Sequence, residues 1–362
     1  MHNRITGILL LAIVMHTSVL YAGLFAKGSV TSGYLSNTYL DASAQWDVGI
    51  HPALELEVDF AEMWAVGYNG RMEAYTRHTE LFYHEHELYV LANPRFGDDD
   101  QHDLFVMAYL GTGKNTDTFE SVNLLYPGLE LSLGLEPNSV VYWKTSASLE
   151  YRGYYSYTAN SSLDTWLQTA VTFSMPSKTS ITPRVAWGYR FYPAPEALTD
   201  EPWDMQLKPG VRLAQGLGDD SGLWVDYEYL YTFNDNNMVV GQLTSAEANF
   251  AGMEFLYSGH GVSLGGKRLW GAHFEGTLEV TYQRRLYNGF ILVDDTGVST
   301  GESREDSRII AGAGLNYERA FGSKKQNTFL LGFNYEYLRQ LSNDAWYDTD
   351  SHSIQLQLAL SH

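Results

Sequence analysis

The sequence contains no cysteine. That excludes a disulfide-stapled secreted scaffold, a thiolate metal centre and a lipid anchor carried on cysteine. Beyond its first twenty residues it also lacks any apolar run of about 18 residues, so no helical membrane span can be drawn from it. Positive charge is scarce: 23 Lys and Arg stand against 43 Asp and Glu, a formal net charge of −20, which disfavours a nucleic-acid partner. Proline is limited to 10 of 362 residues, whereas glycine reaches 33 and tyrosine 26, with 16 Phe and 9 Trp. The mean hydropathy of −0.24 resembles that of a soluble chain. In a membrane barrel, however, only every second strand residue meets lipid, so a low average is compatible with insertion.

The chain opens with the basic Met1-His2-Asn3-Arg4, passes through the largely apolar Ile5 to Leu20, and reaches Tyr21-Ala22-Gly23. This is the layout of a secretory signal peptide, with cleavage expected near Ala22. Its apolar stretch of about 16 residues falls short of the roughly 20 that a spanning helix needs. Residues 1–22 therefore read as an export signal and 23–362 as a single domain.

From Trp46 the even positions read Trp46, Val48, Ile50, Pro52, Leu54, Leu56, Val58 and Phe60, and the odd positions between them include Asp47, Glu55, Glu57 and Asp59. An apolar row alternating with an acidic one is what a strand between lipid and water requires. The pattern recurs in Ile181 to Phe191, in Phe329 to Tyr337 and in the last strand, where Ile354, Leu356, Leu358 and Leu360 alternate with Gln355, Gln357 and Ala359. The fold class read from this is all-β, a transmembrane antiparallel up-and-down barrel of about 16 strands, with 14 or 18 also open.

The strands are expected near 28–36, 44–60, 63–77, 83–96, 102–113, 121–134, 139–156, 163–177, 178–192, 203–215, 222–234, 246–258, 270–288, 306–320, 327–341 and 349–361. An even count puts both termini in the periplasm, with short turns there and longer loops outside. The short set includes 97–101 and 321–326; the long set includes 193–202, 235–245 and 289–305. The glycine-rich 259–269 is long for a turn and could conceal a strand. Only 289–305 has the length to fold in and plug the lumen, since 114–120 is short.

The segment Gly28 to Tyr39 contains Tyr34, Ser36 and Asn37. It resembles the opening of porin-like outer-membrane families of Gram-negative bacteria, in which a first strand ends in a Tyr-x-Ser-Asn motif. The resemblance implies the fold and an outer-membrane location. The C-terminal strand likewise resembles the signal read by the barrel-assembly machinery, although it finishes on His362 where such strands usually finish on Phe.

Extending the alternation assigns a lumen lined by Asp47, Glu55, Glu57, Asp59, Arg71, Glu73, Arg95, Lys144, Glu150, Arg152, Arg184, Arg190, Lys208, Arg212, Asp226, Glu228, Glu279, Glu318 and Glu336. Such a wall either pairs its charges to solvate itself or forms charge rings that select solutes. His84 and His86, at i and i+2, share a strand face with Leu88 and Val90, which places them outward at the aromatic girdle rather than at a metal. The acidic tips, such as Asp98-Asp99-Asp100, lack the spacing of a calcium loop. No motif singles out a catalytic nucleophile, and no cofactor is expected. The reading is a porin-like channel for passive diffusion of small hydrophilic solutes or ions. The alternative is a non-conducting barrel that serves as a structural component of an envelope complex for secretion, motility or polysaccharide export. Expected partners are outer-membrane lipid and lipopolysaccharide, the assembly machinery, and periplasmic or outer-membrane complex components.

Overall fold

The computed structural model describes residues 24–37, 45–156, 158, 161–193, 202–233, 257–293, 299–322 and 327–362. The expected signal peptide lies outside them, as do the expected loop 235–245 and most of the expected strand 246–258.

Sixteen antiparallel strands follow in chain order: β1 (Leu24–Leu35), β2 (Asp47–Ala61), β3 (Trp64–Tyr75), β4 (Tyr83–Ala92, resumed at Arg95–Phe96), β5 (His102–Asn115), β6 (Leu124–Asn138), β7 (Val141–Tyr154) and β8 (Ser162–Ser174). The second half comprises β9 (Thr179–Phe191), β10 (Trp203–Gly216), β11 (Ser221–Thr232), β12 (Ser258–Trp270), β13 (Phe274–Val293), β14 (Ser299–Phe321), β15 (Asn327–Ser342) and β16 (Thr349–Ser361). Each strand pairs with its sequence neighbours, and β1 also pairs with β16, from Lys27 opposite Ser361 to Leu35 opposite Ser353. That last ladder closes the barrel, so no strand edge is left unpaired in the membrane.

The Tyr34/Ser36/Asn37 segment lies on this seam. Asn37 is buried and donates to Thr349 Oγ1 (2.5 Å), and the backbone N–H of His352 donates to Ser36 Oγ (2.6 Å). At the other end of the seam His362 exchanges backbone hydrogen bonds with Ala26 (2.9 and 3.2 Å).

The connections at the end that holds both termini are short: 62–63, 97–101, 139–140, 175–178, 217–220, 271–273 and 322–326. At the opposite end the flanking strands are separated by more residues, 36–46 between β1 and β2, 192–202 between β9 and β10 and 233–257 between β11 and β12. By the asymmetry expected of outer-membrane barrels the terminal end takes the label periplasmic and the other extracellular.

One alternative is decided and one expectation corrected. The glycine-rich 259–269 conceals a strand and forms the body of β12. Its glycines have low intrinsic strand propensity and so read as a breaker. Here they are required by close approach: a Cβ on Gly265 would overlap the Trp224 ring, and one on Gly259 the Arg284 carbonyl oxygen. The correction concerns 289–305, which forms no long plug-sized loop. β13 and β14 carry the ladder outward, with register shifts between Tyr287 and Val293, and only 294–298 separate them.

Large apolar side chains are exposed along the outward rows, including Leu88, Leu264, Leu278, Leu356 and Leu358. Trp64, Trp143, Trp270, Phe274 and Phe321 ring the periplasmic end of this band. At the extracellular end the outward aromatics are accompanied by histidines, each hydrogen-bonded to a tyrosine: His86 with Tyr68 (2.6 Å), His260 with Tyr227 (2.9 Å) and His352 with Tyr335 (2.8 Å).

Candidate functional site

Register, not proximity in sequence, decides which side chains share the inner wall. The cross-strand pairs run in continuous rows. One passes from Lys27 through Glu55, Asn69, Glu87 and Gly111 to Tyr126; the next passes from Glu57 through Gly67, Tyr89, Tyr109, Gly128, Glu150, Asp164 and Arg190 to Asp204. All the candidate lining residues fall on the face these rows define. Arg71 lies opposite Ala53 and Glu85; Lys144 opposite Gly134; Arg184 opposite Gly210; Lys208 opposite Ala186; Arg212 opposite Asp226; Glu279 opposite Gly312; and Glu336 opposite Gly312 and Ser353. Asp59, Arg95 and Glu318 belong to the periplasmic third of the same face, and Glu73 to its extracellular third.

Within the acidic sector, β2–β7, a repeated device holds the carboxylates. Tyr89 lies across Gly67 on the neighbouring strand and its hydroxyl donates to Glu57 Oε2 one strand further on (2.9 Å). Tyr109 lies across Gly128 and donates to Glu150 Oε2 (2.8 Å). Tyr126 lies across Gly111 and donates to Glu85, which also accepts from Tyr83 (2.8 Å) and from Arg71 Nε (2.7 Å). Each ring occupies the space that a Cβ on its glycine would need. The result is a flat wall in which each of these glutamates is oriented by a rigid phenol, with Arg71 and Arg152 adding a cation at Glu85 and Glu150. Replacing Gly67 by Val is therefore expected to lift Tyr89 off the wall and to destabilise the barrel by about 1–3 kcal/mol, the usual cost of overpacking. Tyr89→Phe, which keeps the ring and loses only the hydrogen bond, is expected to cost about 1 kcal/mol. The temperature at which the compact electrophoretic form of the unboiled protein disappears reads both.

Cations gather on β9 and β10. Arg184 reaches past Gly210 to make a bidentate pair with Asp226 (2.8 and 2.5 Å) and approaches Glu228 (3.5 Å). Lys208 stands 4.4 Å from the Trp166 ring and Arg212 5.1 Å from that of Trp224. The wall from β12 to β16 is mostly small and neutral: Ser263, Thr277, Thr281, Gly312, Asn334, Ser353 and Gln355 flank Glu279 and Glu336.

Toward the extracellular mouth the character changes, because the largest fully buried side chains among the described residues are polar. Asp47, Asp164, Arg190, Asp204, Gln206, Arg304 and Asp306 all lie within a few residues of the extracellular strand ends and are at most 6% exposed. Arg190 clasps Asp164 through Nε and one terminal nitrogen (2.7 Å each), and Arg304 clasps Asp306 (3.0 and 2.6 Å). Just past β9, burial raises the pKa of the Tyr192 hydroxyl, so it stays protonated and donates to Asp204 Oδ2 (2.8 Å). Asp47 accepts from the backbone N–H groups of Val48, Thr76, Arg77 and His78 and from the side chains of Thr76 and His78. Asp47 and Arg190 therefore brace a collar around the mouth, whereas Glu55, Arg71, Lys144, Arg212, Glu279 and Glu336 keep solvent access below it.

Two connections cover part of that mouth. The 3₁₀ turns Thr79–Leu81 and Asp117–Val122 follow β3 and β5, and Thr116 Oγ1 donates to the Glu80 carbonyl to join them. Leu81 and Phe119 pack with Tyr154, Tyr75 and Leu124, which lie at the top of the inner wall. The segment 116–123 is short, as its sequence indicates, yet Phe119, packed against Leu81 of the neighbouring turn, draws it inward. Sequence reading missed both this cover and the tyrosine rows. The signal for the second was available: Tyr83, Tyr89, Tyr109 and Tyr126 share the parity of the glutamates, and three of them face glycines once register is known.

No family model matches the sequence, and no curated protein matches it. Solved outer-membrane barrels do resemble it in structure. A bacterial polysaccharide outer-membrane secretin superposes with a TM-score of 0.52 at 9% identity, over 93% of this chain and 97% of that one. Pseudomonas aeruginosa OpdL gives 0.50 at 11% identity over 94% and 98%, and Acinetobacter baumannii OccAB1 gives 0.50 at 9% identity over 94% and 96%. At these identities the likeness is one of fold: the chain is a closed sixteen-stranded antiparallel barrel of the outer-membrane type.

Proposed function

We propose that the barrel is an outer-membrane, porin-like channel for passive diffusion of small hydrophilic solutes or ions. The observation that carries this reading is the way the wall balances its charge. The inner-wall ion pairs join positions on one strand or on strands no more than two apart: Lys27–Glu55, Arg71–Glu85, Arg152–Glu150, Arg152–Asp164, Arg190–Asp164, Arg184–Asp226, Arg184–Glu228, Lys267–Glu275 and Arg304–Asp306. These pairs neutralise the wall along itself, and solvated charge remains below the collar for a solute to meet.

With acidic side chains in excess, cations are the favoured ions. Purified protein in a planar bilayer is expected to give stepwise conductance with a cation-selective reversal potential. Silence at all voltages would overturn the proposal and favour a structural role in an envelope complex. Phe119→Ala, which loosens the cover over the acidic sector, is expected to raise single-channel conductance without altering the sign of selectivity.

A further inference from the structure

The histidines at 84 and 86 have no part in the inner wall, and their surroundings give them another. Both point outward within four residues of the extracellular start of β4, immediately above the exposed Leu88 and Val90 of the lipid-facing band. His84 is paired across the ladder with Met72 on one side and Lys114 on the other, and His86 with Gly70 and Thr112. The patch thus carries an exposed lysine and two imidazoles, and none of these ladder neighbours bears a carboxylate.

A hydrogen-bond chain runs through it: Tyr68 Oη to His86 Nδ1 (2.6 Å), then His86 Nε2 to His84 Nδ1 (3.1 Å). When the tyrosine donates at one end, neutral His86 carries its proton on Nε2 and passes a hydrogen bond to His84, whose own proton then sits on Nε2. The chain therefore leaves a His84 N–H available beside the Lys114 ammonium, both at the depth where acyl chains give way to headgroups.

We infer that His84, His86 and Lys114 form a docking site for a phosphorylated headgroup of an outer-leaflet glycolipid. The argument for that occupant is charge and donor complementarity at the correct depth. A phosphate accepts hydrogen bonds and carries negative charge, and the chain's overall charge of −20 would otherwise repel an anionic leaflet. Tyr68 stacks on His86 (6.0 Å between centroids), fixing the imidazole against the barrel surface, so little side-chain freedom is lost on binding. This inference rests on the outer-membrane placement and not on conduction, so a silent barrel leaves it intact.

The test uses the purified, folded full chain in mixed micelles doped with bisphosphorylated lipid A or with its dephosphorylated form, with lipid retention read by native mass spectrometry. Wild type is expected to retain the phosphorylated form roughly tenfold better, and the triple variant His84→Gln, His86→Gln, Lys114→Gln to lose that preference. His84→Lys combined with His86→Lys is expected to keep it, provided both variants migrate as compact barrels before boiling. Equal retention of the two lipids by wild type would overturn the assignment. So would an undiminished preference in the triple variant, or complete displacement of the lipid by inorganic phosphate alone at millimolar concentration, since that would mark a free-anion site.

Discussion

Asp164→Ala is expected to lower the stability of the barrel by about 3–5 kcal/mol, the cost of breaking a buried ion pair by removing one of its members. Arg190 is 6% exposed and Asp164 4%, and two parallel N–H···O bonds join them. Arg190 lies opposite the buried Asp204, which accepts from Tyr192, so the guanidinium stays in a closed polar cluster when the Asp164 carboxylate is removed. Joint replacement of the pair, Asp164→Leu with Arg190→Met, is expected to recover most of the loss, since the attraction within a buried pair roughly cancels the cost of desolvating it. Urea titration of the refolded protein in detergent, with intrinsic fluorescence as the probe, measures both. The comparison that decides is with Arg71→Ala, whose guanidinium pairs with Glu85 in a solvent-accessible part of the wall and whose loss should cost about 1 kcal/mol or less. Equal costs at the two sites would mean that the collar is as wet as the lumen beneath it.

This contrast between collar and lumen marks how far the sequence could be read. Alternation specified the fold, because a one-residue slip exposes carboxylates to lipid and every strand is therefore pinned to one parity. It placed Glu55, Arg184 and Glu336 on the inner face without any knowledge of their partners. It could not rank positions along the barrel axis, so Asp47 and Glu55 read as equivalent. The first is sealed under a loop and the second is partly open to solvent. β12 stayed undecided between turn and strand for a related reason: in Gly259, Gly261 and Gly265 the inner row of its alternation has almost no side chains, and the tryptophan that requires one of them lies on another strand. Long-range pairing supplied what periodicity lacked. The tyrosine rows are invisible until β4, β5 and β6 are set side by side, and then they follow from identity alone.

The loop after β3 provides the sharper test of the collar, since a single carboxylate organises it. Asp47 is fully buried and accepts four backbone N–H groups, at 2.6 Å from Val48, 3.0 Å from Thr76, 3.0 Å from Arg77 and 2.7 Å from His78, together with the Thr76 hydroxyl (2.8 Å) and His78 Nδ1 (2.9 Å). His78 reaches Gln45 with its other nitrogen (2.9 Å), and Arg77 lays its guanidinium over Trp46 (4.2 Å). Asp47→Ala strands several buried donors at once, each costing about 1–3 kcal/mol if left unmet. The loop is therefore expected to open locally in preference to bearing that cost. Asp47→Asn keeps the Oδ1 acceptor but turns an N–H₂ toward the His78 amide, so it should fall between alanine and wild type. Opening releases Arg77 from Trp46 and presents its peptide bond, so trypsin should cut the alanine variant after Arg77 while wild type resists and the asparagine variant is cut slowly. Because Leu81 in the same loop anchors the apolar cover, open-channel noise should rise in the same order. Resistance of the alanine variant to trypsin after Arg77 would show that the cluster of Leu81, Phe119 and Tyr154 holds the loop without Asp47.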